Sequence, residues 1–315
     1  MKLKGIVTVI RIPFLILALI LGILGGAVAW YESKKFAIPS DFGTQFNLGT
    51  QFNLGYAFLA TFGLLVAHAA VNIFNDYFDS RSGLDFVTFR TPFSGGSGAI
   101  PNGLLTIRET LWLGIACLAI IIPIGIFFTV VKGWMLVPLL VIAVLLIVLY
   151  TPLILKMGYP EWSPGLGLGI LPIMGAYFVH TGQYNWTAFV ASVPSYFLVH
   201  NLLLLNEFPD VEADITVKRR TLPIMIGKKG AAVVFSLFIV LTYLWIAAGV
   251  MTRFMPPYAL LALLTLPIGV QVIRGSFRYD DREVFLKVMG KNVLLILLTQ
   301  ALIAVGYILG GIYMH

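Results

Sequence analysis

Long apolar runs, separated by short polar segments, occupy most of the chain between residues 8 and 313. Each run is about 20 residues long, which is what a helix needs to cross a hydrocarbon core of about 30 Å. Helices are expected because backbone polar groups in lipid must be satisfied within the segment itself. The pattern predicts nine transmembrane helices, at residues 8–30, 55–77, 106–130, 133–155, 164–182, 186–207, 231–252, 255–274 and 291–313.

The composition supports this interpretation and excludes a soluble protein. Of the 315 residues, 59% are hydrophobic and only 11% are charged. The mean hydropathy is +0.94. No domain-length linker divides the chain, so we expect one all-α membrane domain over residues 1–315.

The basic residues are distributed unevenly between the predicted loops. With the N-terminus placed in the cytoplasm, 17 of the 21 Lys and Arg residues fall on the cytoplasmic side. The other side carries only Lys34, Lys35, Lys132 and Arg253. Cytoplasmic loops are normally enriched in basic residues, so we expect a multi-pass plasma-membrane protein with a cytoplasmic N-terminus. The topology accounts for the net charge of +7, and no nucleic-acid partner is expected.

Three other sequence features have simpler interpretations. The N-terminus resembles a signal peptide, but its apolar run is long and Arg11 interrupts the start, so we expect a retained helix. The single Cys117 excludes an intrachain disulfide and is expected to pack as an apolar residue. The repeated TQFNLG at 44–49 and 50–55 indicates a local insertion in a loop.

A first polar cluster ends the second predicted helix. Asn72, Asn75, Asp76 and Asp79 occur at positions i, i+3, i+4 and i+7, which places them on one helical face. Asp85 follows Gly83 and can fold back from the loop. Several carboxylates together with phosphate and water oxygens are the ligands that Mg²⁺ prefers. The simpler alternative is a solvated helix end with Asp and Asn as turn formers.

The loop after this cluster reads FRTPFSGGSG and contains Arg90. A turn rich in Gly and Ser allows backbone amides to approach an anionic ligand. A flexible linker would have the same composition, so this signal is weak.

A second polar cluster ends the sixth predicted helix. The cluster consists of Asn206, Glu207, Asp210, Glu212 and Asp214. It is followed within two turns by Lys218, Arg219 and Arg220. Carboxylates for metal ions and cations for the remaining phosphate oxygens are what a metal-bound diphosphate requires. Ionisable groups at the end of a membrane span also indicate a functional site. A positive-inside loop that happens to follow some acids is the alternative.

These two clusters resemble the aspartate-rich motifs of the UbiA superfamily of intramembrane prenyltransferases. The first family motif is N-x-x-x-D-x-x-x-D, and Asn75 and Asp79 match its first two positions. Its third position is Gly83, and Asp85 replaces it two residues later. This form of the motif, N-x-x-x-D-x-x-x-G-x-D, is similar to the first motif of the branch that prenylates dihydroxynaphthoate. The second motif, D-x-x-x-D, matches Asp210 and Asp214.

Further segments carry the resemblance outside the two motifs. YTPLILK, from Tyr150 to Lys156, resembles a family Tyr and Lys at the end of the fourth helix. Arg11-Ile12-Pro13 resembles a family Arg-Pro pair in the first helix. One departure concerns the acceptor, because the naphthoate branch usually has Arg where this chain has Pro209.

The resemblance implies nine helices around a central cavity and Mg²⁺-dependent transfer from a polyprenyl diphosphate to an aromatic acceptor, among membrane lipids. The acceptor would be 1,4-dihydroxy-2-naphthoate, as in menaquinone biosynthesis. The predicted catalytic residues are Asp79, Asp210, Tyr150 and Lys156. The predicted metal ligands are Asn75, Asp76, Asp79, Asp85, Asp210 and Asp214. The predicted substrate-binding residues are Arg11, Asn72, Asn75, Arg90, Asn206, Lys218, Arg219 and Arg220.

Two groups of alternatives remain at this point. Within the enzyme class, the acceptor can instead be hydroxybenzoate, a glycerol ether lipid, a tetrapyrrole or a phosphoribose. In another class, a cation transporter would also use intramembrane carboxylates, but it would place them near the bilayer midplane on broken helices.

Overall fold

The computed structural model describes residues 2–37 and 52–313. The first TQFNLG copy and the start of the second lie outside these residues. Within the described part, nine segments are helical and apolar enough to cross a membrane, which confirms the predicted number. They are α1 (Ile12–Lys35), α2 (Leu54–Ser82), α3 (Ile107–Lys132), α4 (Trp134–Met157), α5 (Trp162–Thr181), α6 (Trp186–Glu207), α7 (Leu222–Met251), α8 (Pro257–Ser276) and α9 (Arg282–Ile312).

The first predicted helix is divided in two. A short helix, Lys2–Ile10, precedes α1, and Arg11 separates them with a left-handed φ of 55°. Pro13 explains the break, because it has no N–H to donate to Val9 and its ring would clash with that carbonyl. The break frees the carbonyl of Ile10, which accepts a hydrogen bond from Asn72 Nδ2 of α2 at 2.9 Å. It therefore fixes Arg11 beside the polar stripe of α2.

Two of the spanning helices contain a π-helical turn. In α4 it covers Tyr150–Ile154, and in α5 it covers Leu166–Ile170. Pro152 lies inside the first turn and Pro172 lies just beyond the second. A proline removes one N–H from the regular ladder, so the turn widens locally, and such turns often occur at functional sites.

Two helices begin earlier than their apolar runs predict. Helix α7 starts at Leu222 rather than 231 and is kinked at Gly227, where φ is 76° and ψ is 156°. Helix α9 starts at Arg282 rather than 291, and the Asp281 side chain caps it by accepting from the Val284 amide at 3.1 Å. In α7 the glycine kink and the pair Lys228 and Lys229 separate an apolar first segment from the long apolar run. In α9 the first turns are rich in charged residues. Hydrophobicity alone therefore places both starts too late.

Close backbone contacts hold the bundle together around the buried helices α5 and α6. A methyl group added at Gly169 would lie 2.8 Å from the backbone of Tyr196, and one added at Gly306 would lie 2.6 Å from that of Ala259. Small residues at such crossings let membrane helices approach closely. The ends of α2 and α6 lie at the same end of the bundle, since residues of both line one cavity. Short helices, Leu84–Val87 and Val211–Thr216, follow them there.

Candidate active site

The inner face of α2 supplies the first polar group of the site. Asn75 Nδ2 donates to Asp79 Oδ2 at 3.1 Å and to Thr151 Oγ1 at 3.1 Å. Thr151 belongs to the π turn of α4, so the widened turn contacts the acidic stripe directly. Asn75 and Asp79 are four residues apart and share one face, as the spacing predicts. The Asp79 carboxylate is buried at this face.

Asp76 has a different environment from its neighbours on α2. Arg11 Nη2 donates to Asp76 Oδ1 at 2.6 Å, and the Ser97 amide donates to the same oxygen at 3.1 Å. The Ser97 hydroxyl donates to the other oxygen. Asp76 is fully buried by these partners and does not line the cavity described below. Its contacts tie together the helix break, α2 and the Gly/Ser-rich loop.

Asp85 lies after the left-handed turn at Gly83, where φ is 85°. Its carboxylate is buried and accepts a hydrogen bond from Ser80 Oγ at 2.7 Å. Burial first, and then the negative charge of Asp76, raise the pKa of Asp85 to about 7. Arg90 Nη2 donates to the Asp85 backbone oxygen at 3.3 Å, so its charge anchors the loop.

The second acidic cluster meets this loop from the opposite side. Ser94 Oγ donates to Asp210 Oδ1 at 3.3 Å, which joins the two halves of the chain. Burial first, and then the charge of Asp214, raise the pKa of Asp210 to about 7. Arg219 Nη1 donates to Asp214 Oδ1 at 2.9 Å, and Arg219 Nη2 forms an ion pair with Asp79. One guanidinium therefore links the two aspartate-rich motifs.

These groups surround a polar cavity of about 180 Å³. Its charged lining has more acids than cations. The acids are Asp79, Asp85, Glu207, Asp210 and Asp214, and the cations are Arg11 and Arg219. Buried carboxylates need cations nearby, because transferring an isolated charge out of water is very costly. The lining therefore has the chemistry of a site for a further cation.

A second, apolar cavity of about 420 Å³ extends into the membrane-spanning region. Side chains of α2, α3, α4 and α5 form most of its walls. The two cavities share four lining residues, which are Val71, Tyr150, Pro164 and Leu168. Several wall residues of the apolar cavity, including Ile126 and Val130, are exposed on the surface that faces lipid. The polar site thus adjoins an apolar space beside the bilayer.

The structure brings most of the predicted site residues to the polar cavity. The lining includes Arg11, Asn72, Asn75, Asp79, Asp85, Tyr150, Asn206, Asp210, Asp214 and Arg219. The other predicted cations are placed differently. Lys156, Lys218 and Arg220 are exposed and do not line the cavity. Arg90 donates to the backbone oxygen of Asp85 and does not line the cavity either.

Sequence analysis placed Glu207 in the second cluster without giving it a role, and it missed Glu161 and His68. Glu207 lines the cavity and neither carboxylate oxygen has a hydrogen-bond donor among the described residues. Glu161 is fully buried and accepts from the Leu222 amide at the start of α7. His68 lines the cavity four residues before Asn72. Of the two missed residues, only His68 had a detectable signal, since it continues the i, i+4, i+7 spacing of the polar stripe on α2.

No group of three or more His, Cys, Asp or Glu within residues 2–37 and 52–313 already has a metal-holding arrangement. Arg219 explains this, because its guanidinium lies between Asp79 and Asp214. The donors nevertheless fit a divalent ion. Among the described residues, neither Asp85 nor Asp210 forms an ion pair through its carboxylate. Both side chains are largely shielded from water. Oxygen donors of this kind suit Mg²⁺.

Comparison with known proteins agrees with this geometry. The profile of the UbiA prenyltransferase family matches residues 36–296. The chain belongs to the UbiA prenyltransferase family. It is therefore a prenyltransferase and a multi-pass membrane protein, and the transporter alternative is excluded.

Among relatives within the UbiA family, two names concern naphthoate-type acceptors. A 1,4-dihydroxy-2-naphthoate octaprenyltransferase of Bacillus subtilis is 27% identical over 259 residues, covering 79% of this chain and 82% of the relative. A 2-carboxy-1,4-naphthoquinone phytyltransferase of a Synechocystis strain is 27% identical over 221 residues, covering 68% of each. The resemblance to the menaquinone-type branch is thus confirmed.

Solved structures share the UbiA fold. An apo UbiA homologue from Aeropyrum pernix K1 matches with a TM-score of 0.69 and 17% identity, covering 94% of this chain and 98% of that one. A homologue from Archaeoglobus fulgidus, solved with GPP and Mg²⁺, matches with a TM-score of 0.56 and 15% identity, covering 95% and 99%. At these sequence identities, the similarity establishes a shared fold.

Proposed function

We propose that this UbiA prenyltransferase transfers a polyprenyl group from an allylic diphosphate to 1,4-dihydroxy-2-naphthoate, with Mg²⁺ as cofactor, in menaquinone-type quinone synthesis. Two relatives named for naphthoate-type acceptors support the choice of acceptor. The homologue solved with GPP and Mg²⁺ supports the donor class and the cofactor. The observation that carries the proposal is the acid-rich polar cavity that adjoins an apolar one.

The diphosphate and its metal ions would occupy the acidic end of the polar cavity. Asp79, Asp85, Asp210 and Asp214 would hold Mg²⁺, and Asn75 would orient Asp79 through its 3.1 Å hydrogen bond. Bound Mg²⁺ would neutralise the diphosphate and stabilise it as a leaving group. Arg219 would turn from the two carboxylates to the phosphate oxygens, because planar guanidinium groups bind phosphate well.

The reacting carbon of the donor would lie where the two cavities meet. When its bond to the diphosphate oxygen breaks, an allylic cation forms. The ring of Tyr150, at this junction, presents a π face that stabilises a cation. The apolar walls keep water away, and water would otherwise capture the cation.

The acceptor ring completes the reaction by attacking the allylic cation. A carbon–carbon bond forms with an electron pair of the ring, at the carbon that bears the carboxylate. Carbon dioxide then leaves, and the electron pair of its bond returns to the ring. The products are a prenylated quinol, carbon dioxide and diphosphate.

The distribution of basic residues supports an active site on the cytoplasmic face of the plasma membrane. Arg81, Arg108 and Arg278 lie at the same end of the bundle as the acidic clusters. The positive-inside rule assigns this end to the cytoplasm.

One experiment tests the acceptor. Purified protein would be incubated with Mg²⁺, geranylgeranyl diphosphate and one acceptor at a time, and the products identified by mass spectrometry. We expect a decarboxylated product with 1,4-dihydroxy-2-naphthoate and none with 4-hydroxybenzoate. A digeranylgeranylglyceryl phosphate synthase of Thermococcus kodakarensis is 25% identical over 300 residues, covering 90% of each chain, so a glycerol phosphate ether lipid is the third acceptor. Product with that lipid alone would overturn the naphthoate assignment.

A further inference from the structure

The loop that carries Arg219 into the site is held by the connection between α4 and α5. The Arg220 amide donates to the Leu155 carbonyl, in the last turn of α4, at 2.9 Å. The Tyr159 amide, just beyond α4, donates to the Arg220 carbonyl at 3.1 Å. Both polar groups of the Arg220 backbone are therefore fixed. This residue directly follows the one whose guanidinium joins the two aspartate-rich motifs.

Glu161 adds a third hydrogen bond to this contact. Its Oε1 accepts from the amide of Leu222, the first residue of α7, at 2.5 Å. The first amides of a helix have no partner within the helix and are usually bound by the side chain of the N-cap residue. Here the N-cap residue is Thr221, and its side chain makes no such hydrogen bond. The carboxylate of Glu161 therefore caps α7 in its place.

Glu161 itself lies outside the space that the substrates would occupy. It is completely buried and lines neither cavity. The turn before it has unusual backbone angles, since φ is 98° at Gly158 and 53° at Tyr159. A positive φ is costly for a residue with a side chain, and such strain persists only where the surrounding structure imposes it. The hydrogen bonds to residues 220–222 are contacts that impose it, and through them Glu161 reaches the site.

We propose that Glu161 is a positioning residue for Arg219. By holding the Leu222 amide, it fixes the backbone of residues 219–222, so the guanidinium is presented to the two motifs and, once Mg²⁺ is bound there, to the phosphate oxygens. A loop that moved freely would lose conformational entropy each time its arginine bound an anion. Glu161 removes that cost in advance. This inference rests on the proposed function, because it names the residue that prepares Arg219 for the diphosphate.

The test compares two substitutions of Glu161. Glu161→Ala removes the acceptor for the Leu222 amide, whereas Glu161→Gln keeps it. At saturating Mg²⁺, Glu161→Ala should raise the KM for geranylgeranyl diphosphate about tenfold and leave the KM for the acceptor within about twofold. Without donor, calorimetric titration should show tighter Mg²⁺ binding, by up to about tenfold, because a loosened Arg219 competes less well for the carboxylates. Glu161→Gln should match the wild type in all three measurements.

A double variant separates positioning from a general loss of stability. If Glu161 acts through Arg219, adding Glu161→Ala to Arg219→Gln should change neither the donor KM nor the Mg²⁺ affinity by more than about twofold.

Glu32→Ala is the matched control for loss of a buried carboxylate. Glu32 is buried and accepts from Asn185, the N-cap residue of α6. It follows Arg11 by 21 residues, which is about 30 Å along a helix, so it lies far from the site. Glu32→Ala should lower the Tm and leave the donor KM and the Mg²⁺ affinity at wild-type values.

A second pair of variants leaves Glu161 intact. Gly158 and Gly133 have similar backbone angles, with φ of 98° and 116° and ψ of 139° and 156°. A methyl group at Gly158 would lie 3.5 Å from its nearest neighbour, and one at Gly133 would have none within 4 Å. Alanine therefore strains both turns without a clash. Only Gly158→Ala displaces the turn that holds the Arg220 backbone, so only it should raise the donor KM and tighten Mg²⁺ binding.

The outcomes separate this inference from the proposed function. If the wild type prenylates no naphthoate, the proposed function fails, whereas the Mg²⁺ titrations need no turnover and still test the role of Glu161. If the wild type is active but Glu161→Ala shifts neither the donor KM nor the Mg²⁺ affinity, the positioning role is wrong and the function stands. Effects that persist in the Arg219→Gln background, or that appear equally in Glu161→Gln, also overturn the role.

The glycine variants decide if Glu161→Ala does not fold. Equal donor KM and Mg²⁺ affinity in Gly158→Ala and Gly133→Ala would overturn the positioning role. A shift of both quantities in Gly158→Ala alone would support it.

Discussion

Arg219 Nη1 lies 2.9 Å from Asp214 Oδ1, and the other terminal nitrogen of the same guanidinium is paired with Asp79 of α2. The Arg219 guanidinium thus lies between the two aspartate-rich motifs, in the space that a bound metal ion would require. The Arg219 side chain is only 11% exposed. Burial disfavours its charge, but pairing with the two carboxylates outweighs burial and raises the pKa of Arg219 further. In the absence of substrate, it keeps two buried acids neutralised.

The first prediction concerns this pairing. Arg219→Gln should lower kcat/KM for the donor by about 100-fold, because a charged contact to the departing diphosphate is lost. The same variant should bind Mg²⁺ more tightly without donor, since Asp79 and Asp214 lose their competing cation. Calorimetric titration with Mg²⁺ measures the second effect, and Lys229→Gln, an exposed cation of α7, is the control. Weaker Mg²⁺ binding by Arg219→Gln would contradict the inference that Arg219 and Mg²⁺ compete for the carboxylates of Asp79 and Asp214.

The second prediction concerns the acids themselves. Asp79→Ala and Asp210→Ala should each lower kcat by about 100-fold or more, while the protein remains folded in detergent. Chelation of Mg²⁺ should abolish wild-type turnover, and added Mg²⁺ should restore it. Glu212→Ala removes an exposed acid from the second motif and should retain wild-type activity. Activity above about a tenth of wild type in either aspartate variant would remove that residue from the metal site.

The third prediction uses a glycine of the loop that holds Asp85. A methyl group at Gly96 would clash with Asp85 Oδ1, whereas one at Gly103 would have no neighbour within 4 Å. Both residues have positive φ, of 77° and 68°, so alanine should cost each about 1 kcal/mol of folding free energy. Only Gly96→Ala should also raise the Mg²⁺ concentration needed for half-maximal rate. Equal Mg²⁺ dependence in the two variants would show that Asp85 is not a ligand.

The fourth prediction tests the apolar cavity as the site of the prenyl tail. Ala143 of α4 lines this cavity, and Ala143→Phe should fill part of it. Long-chain donors should then lose kcat/KM by about tenfold or more relative to geranyl diphosphate, because overpacking a filled space is unfavourable. Leu145→Phe alters a neighbouring residue that faces lipid, so its chain-length profile should match wild type. Equal loss for short and long donors would place the tail elsewhere.

The length of the apolar runs predicted nine helices because each spanning segment must be apolar over its whole length. It could not place helix starts where charged residues interrupt or precede the apolar run, as after Leu222 in α7 and at Arg282 in α9. It also missed the break at Arg11, although Pro13 was visible in the sequence. Such breaks depend on what replaces the lost hydrogen bond, here the contact between Asn72 and Ile10.

The sequence predicted which helical residues face the site, because spacing along a helix determines the direction of each side chain. It did not predict which loop residues reach the site. Asn75 and Asp79 share a helical face, and both line the cavity. Asp76 is rotated by about 100° from Asn75, since a helix has 3.6 residues per turn, and it contacts Arg11 instead. In the loop, only Arg219 of the three consecutive cations lines the cavity. Loop geometry has no period, so sequence could not choose among them.

The side-by-side placement of the two cavities would give the two large products of the proposed reaction separate routes out of the protein. Diphosphate would be released from the polar cavity toward water, helped by the negative charge of Asp85 and Asp210. The prenylated product would already lie against the apolar cavity, whose wall residues Ile126 and Val130 are exposed on the surface that faces lipid. Each product would then leave by its own exit, the water-soluble one outward and the prenylated one sideways into the bilayer.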